Sequence, residues 1–168
     1  MFDDNVRACE ACPLREIFQP VPGEGNESAQ IVIVGRNPGK VERHMGRPFM
    51  GPAGVRLDHV IDEAGLVREQ LYITNAVKCF TESNSKPPDS SYEACVSLWL
   101  GKELAAVHPR LVIALGQEAQ QALPMCSAHF PTFNMIHPSA ALRSPLHEAR
   151  LRQQTKNLVH LLREQELV

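Results

Sequence analysis

Ile31, Val32, Ile33 and Val34 are four consecutive β-branched residues. Such a run reads as a short strand buried on both faces. Three further segments share the pattern: Leu71 to Asn75, Leu111 to Leu115 and Thr132 to Ile136. Between them the period changes to that of a helix. Leu57, Val60, Ile61 and Ala64 fall on one helical face, and Gly65 is placed to cap it. Cys95, Leu98, Trp99, Ala105 and Ala106 suit the buried side of a second helix, closed by Pro109. A third runs from Gly116 to about Leu123, and Leu151, Leu158 and Leu162 mark a last one. Residues 1–30 read as irregular, with turn chemistry over Val21 to Asn26. Thr81 to Ser91, with Pro87-Pro88, reads as a loop, and Pro124 to Phe130 as irregular. Strands alternating with helices imply a parallel sheet covered on both faces. The expected fold is α/β: a three-layer α/β/α sandwich around a central four-stranded parallel sheet, in a single domain over residues 1–168.

Polar residues punctuate the ends of these strands. The first runs into Gly35-Arg36-Asn37-Pro38-Gly39, the second ends at Asn75, and the fourth leads to His137. Parallel strands put their carboxyl ends on one edge, where open α/β sheets bind ligands. Asn37, Asn75 and His137 are therefore expected to meet in one cleft. An asparagine can pair with a heterocyclic amide edge through donor and acceptor together. An aromatic ring such as Phe49 can stack on that heterocycle. A histidine can stabilise charge developing on a leaving base, and Asn37 can orient a water. The combination describes a pocket that holds a planar base and cleaves it from its sugar. No G-x-G-x-x-G and no Walker lysine loop is present, so nucleotide-cofactor readings are weak.

Composition narrows the setting. The net charge of −2 argues against a strongly basic coat protein, without excluding a DNA enzyme. Arg36, Lys40, Arg43, Arg47 and Arg56 cluster around the first loop. No apolar run is long enough to span a bilayer, and the N-terminus shows no secretory pattern. The expectation is a cytoplasmic protein, nucleoid-associated when acting. In such a setting five cysteines point to a metal site rather than disulfides. Cys9 and Cys12 form C-x-x-C, while Cys79 and Cys95 lie far downstream with fifteen residues between them. Cys126 reads as a small core residue.

The residues that carry these features also carry a resemblance. C-E-A-C-P-L at 9–14, G-E-G-N at 23–26, G-R-N-P-G at 35–39 and G-R-P-F-M-G-P-A-G at 46–54 follow one another in order. Y-I-T-N-A-V-K-C at 72–79, the lone Cys95, L-V-I-A-L-G at 111–116 and H-P-S-A-A-L-R at 137–143 complete the set. In order and spacing the chain resembles the uracil-DNA glycosylase superfamily, closest to its iron–sulfur-containing family 4 branch, over nearly its whole length.

That resemblance implies a monofunctional DNA glycosylase that flips uracil, or a related damaged pyrimidine, out of DNA. Hydrolysis of the N-glycosidic bond would leave an abasic site. It implies that Phe49 stacks on the flipped base and Asn75 reads its Watson–Crick edge, with Gly35 and Arg36 beside them in the base pocket. His137 would contact the carbonyl that becomes negative, and Asn37 would align the water. Pro38, Gly39, Ser139 and Arg143 would contact DNA. Cys9, Cys12, Cys79 and Cys95 would bind a [4Fe–4S] cluster. Four thiolates also suit zinc, and spacing alone does not decide. A monomer is implied. Two positions depart from the branch's usual G-E-A-P-G: Arg36 replaces the acid and Asn37 the alanine, which makes an N-P-G signature like that of other branches. Of the acidic run that usually follows, only Glu42 remains, and His44 reads as a surface residue. The rival expectation is a non-hydrolytic member of the fold that binds or modifies an altered base.

Overall fold

The computed structural model describes residues 2–168. Its centre is a five-stranded sheet in the order β1-β3-β2-β4-β5. The strands are β1 (Glu24–Gly25), β2 (Ile31–Gly35), β3 (Tyr72–Asn75), β4 (Leu111–Leu115) and β5 (Thr132–Met135). β2, β3, β4 and β5 pair in parallel, as the alternation of periods requires, while β1 pairs antiparallel with β3. The sheet therefore has one strand more than the expected four. The extra one is two residues of the Val21–Asn26 turn, held where Gly25 adopts a positive φ of 118°. A Cβ there would lie 2.0 Å from the Leu71 carbonyl oxygen, so only glycine lets this edge close.

The β-branched run of β2 sends alternate side chains to opposite faces. Ile31 and Ile33 join Leu57, Ile61, Ile73, Ile113, Leu151 and Leu158 in one core layer. That layer lies beneath α4 (Pro52–Glu63) and α9 (Pro145–Glu164). Val32 and Val34 join Val96, Leu100, Leu104, Val112 and Ala119 in the other. That layer is covered by α5 (Asp89–Cys95), α6 (Gly101–Val107) and α7 (Gln117–Ala122). The result is the expected α/β/α sandwich. α4 is entered through Gly51 with Pro52 in its first turn, and α9 has Pro145 in the same place, where a missing N–H costs nothing.

Other local expectations are corrected. Residues 1–30 are not wholly irregular: α1 (Asp3–Arg7) and α2 (Leu14–Ile17) flank the C-x-x-C turn. A further short helix, α3 (Lys40–Met45), follows the first loop and ends on Gly46 in the left-handed conformation. Its polar sequence gave no apolar period. Ala105 and Ala106 are exposed. The helix turns wider between α5 and α6, over Val96–Leu100, and this sets Val96, Leu100, Leu104 and Val107 on the buried face instead. The loop expected over residues 81–91 gives way to α5 from Asp89 onward.

Candidate functional site

The parallel register carries the strand ends to one edge. Gly35, the last residue of β2, lies opposite Asn75, the last of β3. His137 follows β5 by two residues and opens α8 (Pro138–Ala141) as its N-cap. Between these ends opens a cleft of about 600 Å³. Asn37, Asn75, His137, Phe49 and Arg36 line it, and so do Pro38, Gly39, Ser139 and Arg143. The structure thus brings together nine of the ten residues expected at the base and DNA site. Gly35 lies beneath them: a Cβ on it would meet Asn75 Oδ1 at 2.4 Å and Phe49 Cζ at 2.6 Å.

Asn75 is 4% exposed, and its carboxamide has no hydrogen-bond partner among the described residues. Its donor and acceptor remain available to a ligand in the cleft. Phe49 is buried and stacks on the His137 ring, with centroids 5.8 Å apart and planes at 26°. Its φ of 53° is left-handed, a conformation that costs a bulky residue about 1–3 kcal/mol and persists only where neighbours enforce it. Two neighbours do so. Arg68 donates to the Pro48 and Phe49 carbonyls at 3.1 and 3.3 Å. Glu42 is buried on α3, and its Oε1 accepts from the Met50 and Gly51 N–H groups at 3.0 and 2.8 Å. The surviving acid of the first loop therefore shapes the phenylalanine turn.

His137 Nδ1 lies 2.8 Å from Ser139 Oγ and accepts the Ser139 backbone N–H at 3.2 Å. A ring nitrogen that accepts an N–H is unprotonated, which leaves the proton on Nε2. Burial, followed by the positive charges of Arg36 and Arg143, pushes His137 down to about 4. Near neutral pH the site therefore holds a neutral imidazole with Nε2–H as its remaining donor.

The first loop is tied more closely than its sequence suggests. Arg36 donates from Nε to Asn37 Oδ1 at 2.6 Å and from NH2 to the Asn84 carbonyl at 2.6 Å, and it pairs with Glu118 at 3.5 Å. Asn37 Nδ2 reaches Thr81 Oγ1 and Asn84 Oδ1, both at 3.4 Å, and the Pro38 carbonyl at 3.2 Å. Ser83 and Asn84, both left-handed, form the tight turn that presents these acceptors. Sequence reasoning missed Asn84 and Glu118, because nothing in the 81–91 stretch or in the helix after Gly116 marks a partner for Arg36.

It also missed a buried ion pair behind Asn75. Lys78 and Glu103 are each 1% exposed and lie 2.6 Å apart. Lys78 Nζ also donates to the Asn75 carbonyl at 2.7 Å and to Thr74 Oγ1 at 2.6 Å. Glu103 further accepts from Tyr72 and Thr74. The available signal was a charge on each of two otherwise apolar faces: Lys78 within A-V-K-C, and Glu103 at helical spacing from Leu100 and Val107.

Cys9, Cys12, Cys79 and Cys95 converge on a small cavity with Arg15, Lys78 and Trp99 in its wall. None of them forms a disulfide. Trp99 Nε1 donates to Cys9 Sγ at 3.3 Å, and the Lys78 backbone N–H to Cys95 Sγ at 3.2 Å. Arg15 Nε is buried without a partner. Burial, then the neighbouring sulfurs, pushes Cys79 up to about 12, and burial pushes Cys95 up to about 11. The two N–H donors directed at sulfur suit thiolates bound to a positive centre, whose charge would have to offset the burial that opposes their ionisation. Among the described residues, however, no three His, Cys, Asp or Glu side chains are grouped so as to hold a metal ion. Cys126 is buried in the core and His44 is exposed, as expected.

Comparison with known proteins bears on this arrangement. The family model of the uracil DNA glycosylase superfamily matches residues 22–162. A type-4 uracil-DNA glycosylase of Saccharolobus solfataricus is 34% identical, over 86% of this chain and 77% of that protein. Those of Archaeoglobus fulgidus and Thermotoga maritima are 41% and 39% identical, each over 71% of this chain. The chain spans 62% of the length of these two relatives. A solution NMR structure of a candidate uracil DNA glycosylase from Methanosarcina acetivorans superposes with a TM-score of 0.56 at 13% identity. It covers 84% of this chain and 96% of that one, a likeness of fold alone. Among the described residues no helix is long and apolar enough to cross a membrane.

Proposed function

The chain belongs to the uracil-DNA glycosylase superfamily and groups with its type-4 members, and from that premise we propose that it excises uracil from DNA as a monofunctional hydrolase, leaving an abasic site for base-excision repair. The observation that carries this reading is the cleft itself: an unpartnered Asn75 carboxamide, a buried Phe49 ring and the Nε2–H of a neutral His137 face one space. An extruded uracil would stack on Phe49 and pair its amide edge with Asn75. As the glycosidic bond lengthens, negative charge grows on the base carbonyl. A hydrogen bond from His137 strengthens at that moment and lowers the barrier. No amine nucleophile is required: Lys78 is committed to Glu103 and faces the core. Asn37 would align the attacking water, and Pro38, Gly39, Ser139 and Arg143 would hold the flanking DNA. The protein would act as a monomer of one domain over residues 1–168, on DNA in the cytoplasm, nucleoid-associated when acting.

Cys9, Cys12, Cys79 and Cys95 would hold a [4Fe–4S] cluster, with zinc the weaker alternative. The four cysteines line one small cavity, which is what supports this ligand set. The orphaned Arg15 Nε supports a group bearing negative charge in that space. When bound, such a cluster supplies a cross-link between the N-terminal segment and the strand end at Cys79. Iron and sulfide analysis of the purified protein checks the ligand set. Cys79→Ser should lose the brown absorbance, and full retention of iron would remove Cys79 from it.

One observation favours a second reading, a member of the fold that binds or modifies an altered base without hydrolysis. Asn37 Oδ1, the acceptor a water would use, is taken by Arg36. Base release from uracil oligonucleotides, single-stranded and opposite guanine, decides between the two. Release by the parent that collapses in Asn37→Ala supports hydrolysis with asparagine-aligned water. No release from either substrate by the parent would sink the hydrolase reading.

A further inference from the structure

Beside the cleft lies a second groove, of about 450 Å³, whose walls the function above does not use. Phe18 and Phe80 form its floor, packed edge to face with centroids 5.0 Å apart. Arg43, on α3, lays its guanidinium over both rings, 4.8 Å from the Phe80 centroid and 5.3 Å from that of Phe18. Lys40, one turn earlier on the same helix, lines this groove and the cleft alike. Ile17, 72% exposed, lines it as well, with Glu82 and Ser83.

Among the described arginines Arg43 is the one that lies over aromatic rings. Arg36, Arg47, Arg56 and Arg68 all spend their N–H groups on carbonyls or carboxylates. Arg43 makes no side-chain hydrogen bond and no ion pair among the described residues, and neither does Lys40. None of the Arg43 donors is sealed from solvent without a partner. The two rings localise the guanidinium head, whose N–H groups have no protein partner among the described residues. A planar, pre-ordered fork of donors matches a phosphate in two-point contact, and pre-ordering reduces the entropy lost on binding.

We propose that this groove binds the phosphate backbone of single-stranded DNA as the strand leaves the cleft, with Arg43 and Lys40 contacting successive phosphates. The proposal rests on the reading of the cleft as a DNA site, and Lys40 supplies the continuity between the two. Charge complementarity selects the ligand: two unpaired cations line one wall. The Glu82 carboxylate, which also lines the groove, repels phosphate, so the strand should follow the two cations of α3. Ile17 offers an apolar edge to a sugar or base. Since the chain as a whole is weakly acidic, binding should depend on this local pair rather than on the net charge.

The test is fluorescence anisotropy with a labelled single-stranded oligonucleotide of about fifteen nucleotides that contains no uracil, across a salt series. Parent protein is compared with Arg43→Gln and, because Lys40 is exposed and cannot disturb packing, with Lys40→Gln. The expected result is a Kd weakened about fivefold in each variant, with the slope of log K against log salt shallower by about 0.7 for each phosphate no longer neutralised. Unchanged Kd and slope in both variants would overturn the proposal. A weaker Kd with an unchanged slope would also overturn it, since that points to an apolar partner surface. The probe carries no substrate base, so the two readings fail separately. Binding that depends on Arg43, from a protein that releases no uracil, would sink the glycosylase reading and leave the groove.

Discussion

Arg36 donates a 2.6 Å hydrogen bond from Nε to Oδ1 of its neighbour Asn37, and so engages the acceptor that an attacking water would need. Hydrolysis through Asn37 requires that hydrogen bond to open or to be shared. A hydrogen bond from a charged donor contributes about 1.5–3 kcal/mol, and only part of it is given up when Asn37 turns to a water. Arg36→Met removes the competitor. The expected outcome is uracil release about three- to tenfold faster under single-turnover conditions. A slower rate in Arg36→Met would show instead that the guanidinium contributes to the transition state, and the competition argument would fall. Glu118 loses its partner in the same variant, at a partly exposed pair of small net contribution.

His137 gives the site a pH signature with a definite sign. Its folded-state value of about 4 lies below the ordinary 6.5, because burial and then the charges of Arg36 and Arg143 oppose a second proton. Between those values the unfolded chain binds a proton that the folded chain refuses. The resulting penalty is absent above about 6.5, builds as the pH falls and is complete below about 4. Protonation at Nδ1 would also set a new N–H against the Ser139 N–H that this ring nitrogen accepts as the cap of α8. Urea unfolding at pH 7.5 and pH 5 should show a loss of stability in the parent that shrinks in His137→Gln. The ring resonances should remain those of a neutral imidazole down to pH 5. A ring that titrates near 6.5 would remove the argument.

How much of this was legible in the sequence depends on the kind of signal involved. The β-branched runs and the helical period at Leu57, Val60, Ile61 and Ala64 report burial directly, so the layers and the shared edge of Asn75 and His137 follow from them. Gly25 shows the limit: two residues pair with β3 because a backbone needs room there, and no periodicity records that. The same holds for Ala105 and Ala106, displaced from the core when the helix widens over Val96–Leu100. Residue types were enough to select Phe49, Asn75 and His137 for the cleft. They were not enough to reveal that Phe49 is left-handed and held by Glu42 and Arg68, since that depends on hydrogen bonds closed only in the fold. Arg36 was visible as a departure, whereas its grip on Asn84 and Glu118 was not.

The Lys78–Glu103 pair holds the strand end at Asn75 through its backbone carbonyl, and its removal should be felt more in stability than in chemistry. Leaving one charge buried and unpaired costs about 3–5 kcal/mol, whereas replacing both partners with apolar groups of similar volume is often close to neutral. Lys78→Met alone should therefore lower the unfolding free energy by about that amount. Lys78→Met/Glu103→Leu should recover part of it, limited because Tyr72 and Thr74 then lose their acceptor. Chemical denaturation of the single and double variants closes the cycle. A double variant less stable than Lys78→Met would show that the network is worth more intact than an apolar core.

Gly35 is packed closely beneath two residues that line the cleft, Asn75 and Phe49. Its backbone is ordinary extended strand, so alanine is conformationally acceptable, and the objection to it is purely steric. A Cβ would stand 2.4 Å from Asn75 Oδ1 and 2.6 Å from Phe49 Cζ. Both atoms belong to the surfaces that would hold the base. Phe49 is pinned by Glu42 and Arg68, so the carboxamide of Asn75 is the softer of the two and should rotate away. Overpacking of this kind costs about 1–3 kcal/mol in stability, which a domain of this size can absorb. The effect on recognition should be larger, because a misdirected amide leaves the uracil edge unpaired: kcat/KM falling about a hundredfold, with selectivity against cytosine reduced. Steady-state kinetics on uracil oligonucleotides, alongside thermal unfolding, separates the two effects. If Gly35→Ala unfolds no earlier than the parent and excises uracil as well, the glycine serves neither neighbour and the pocket drawn around it is wrong.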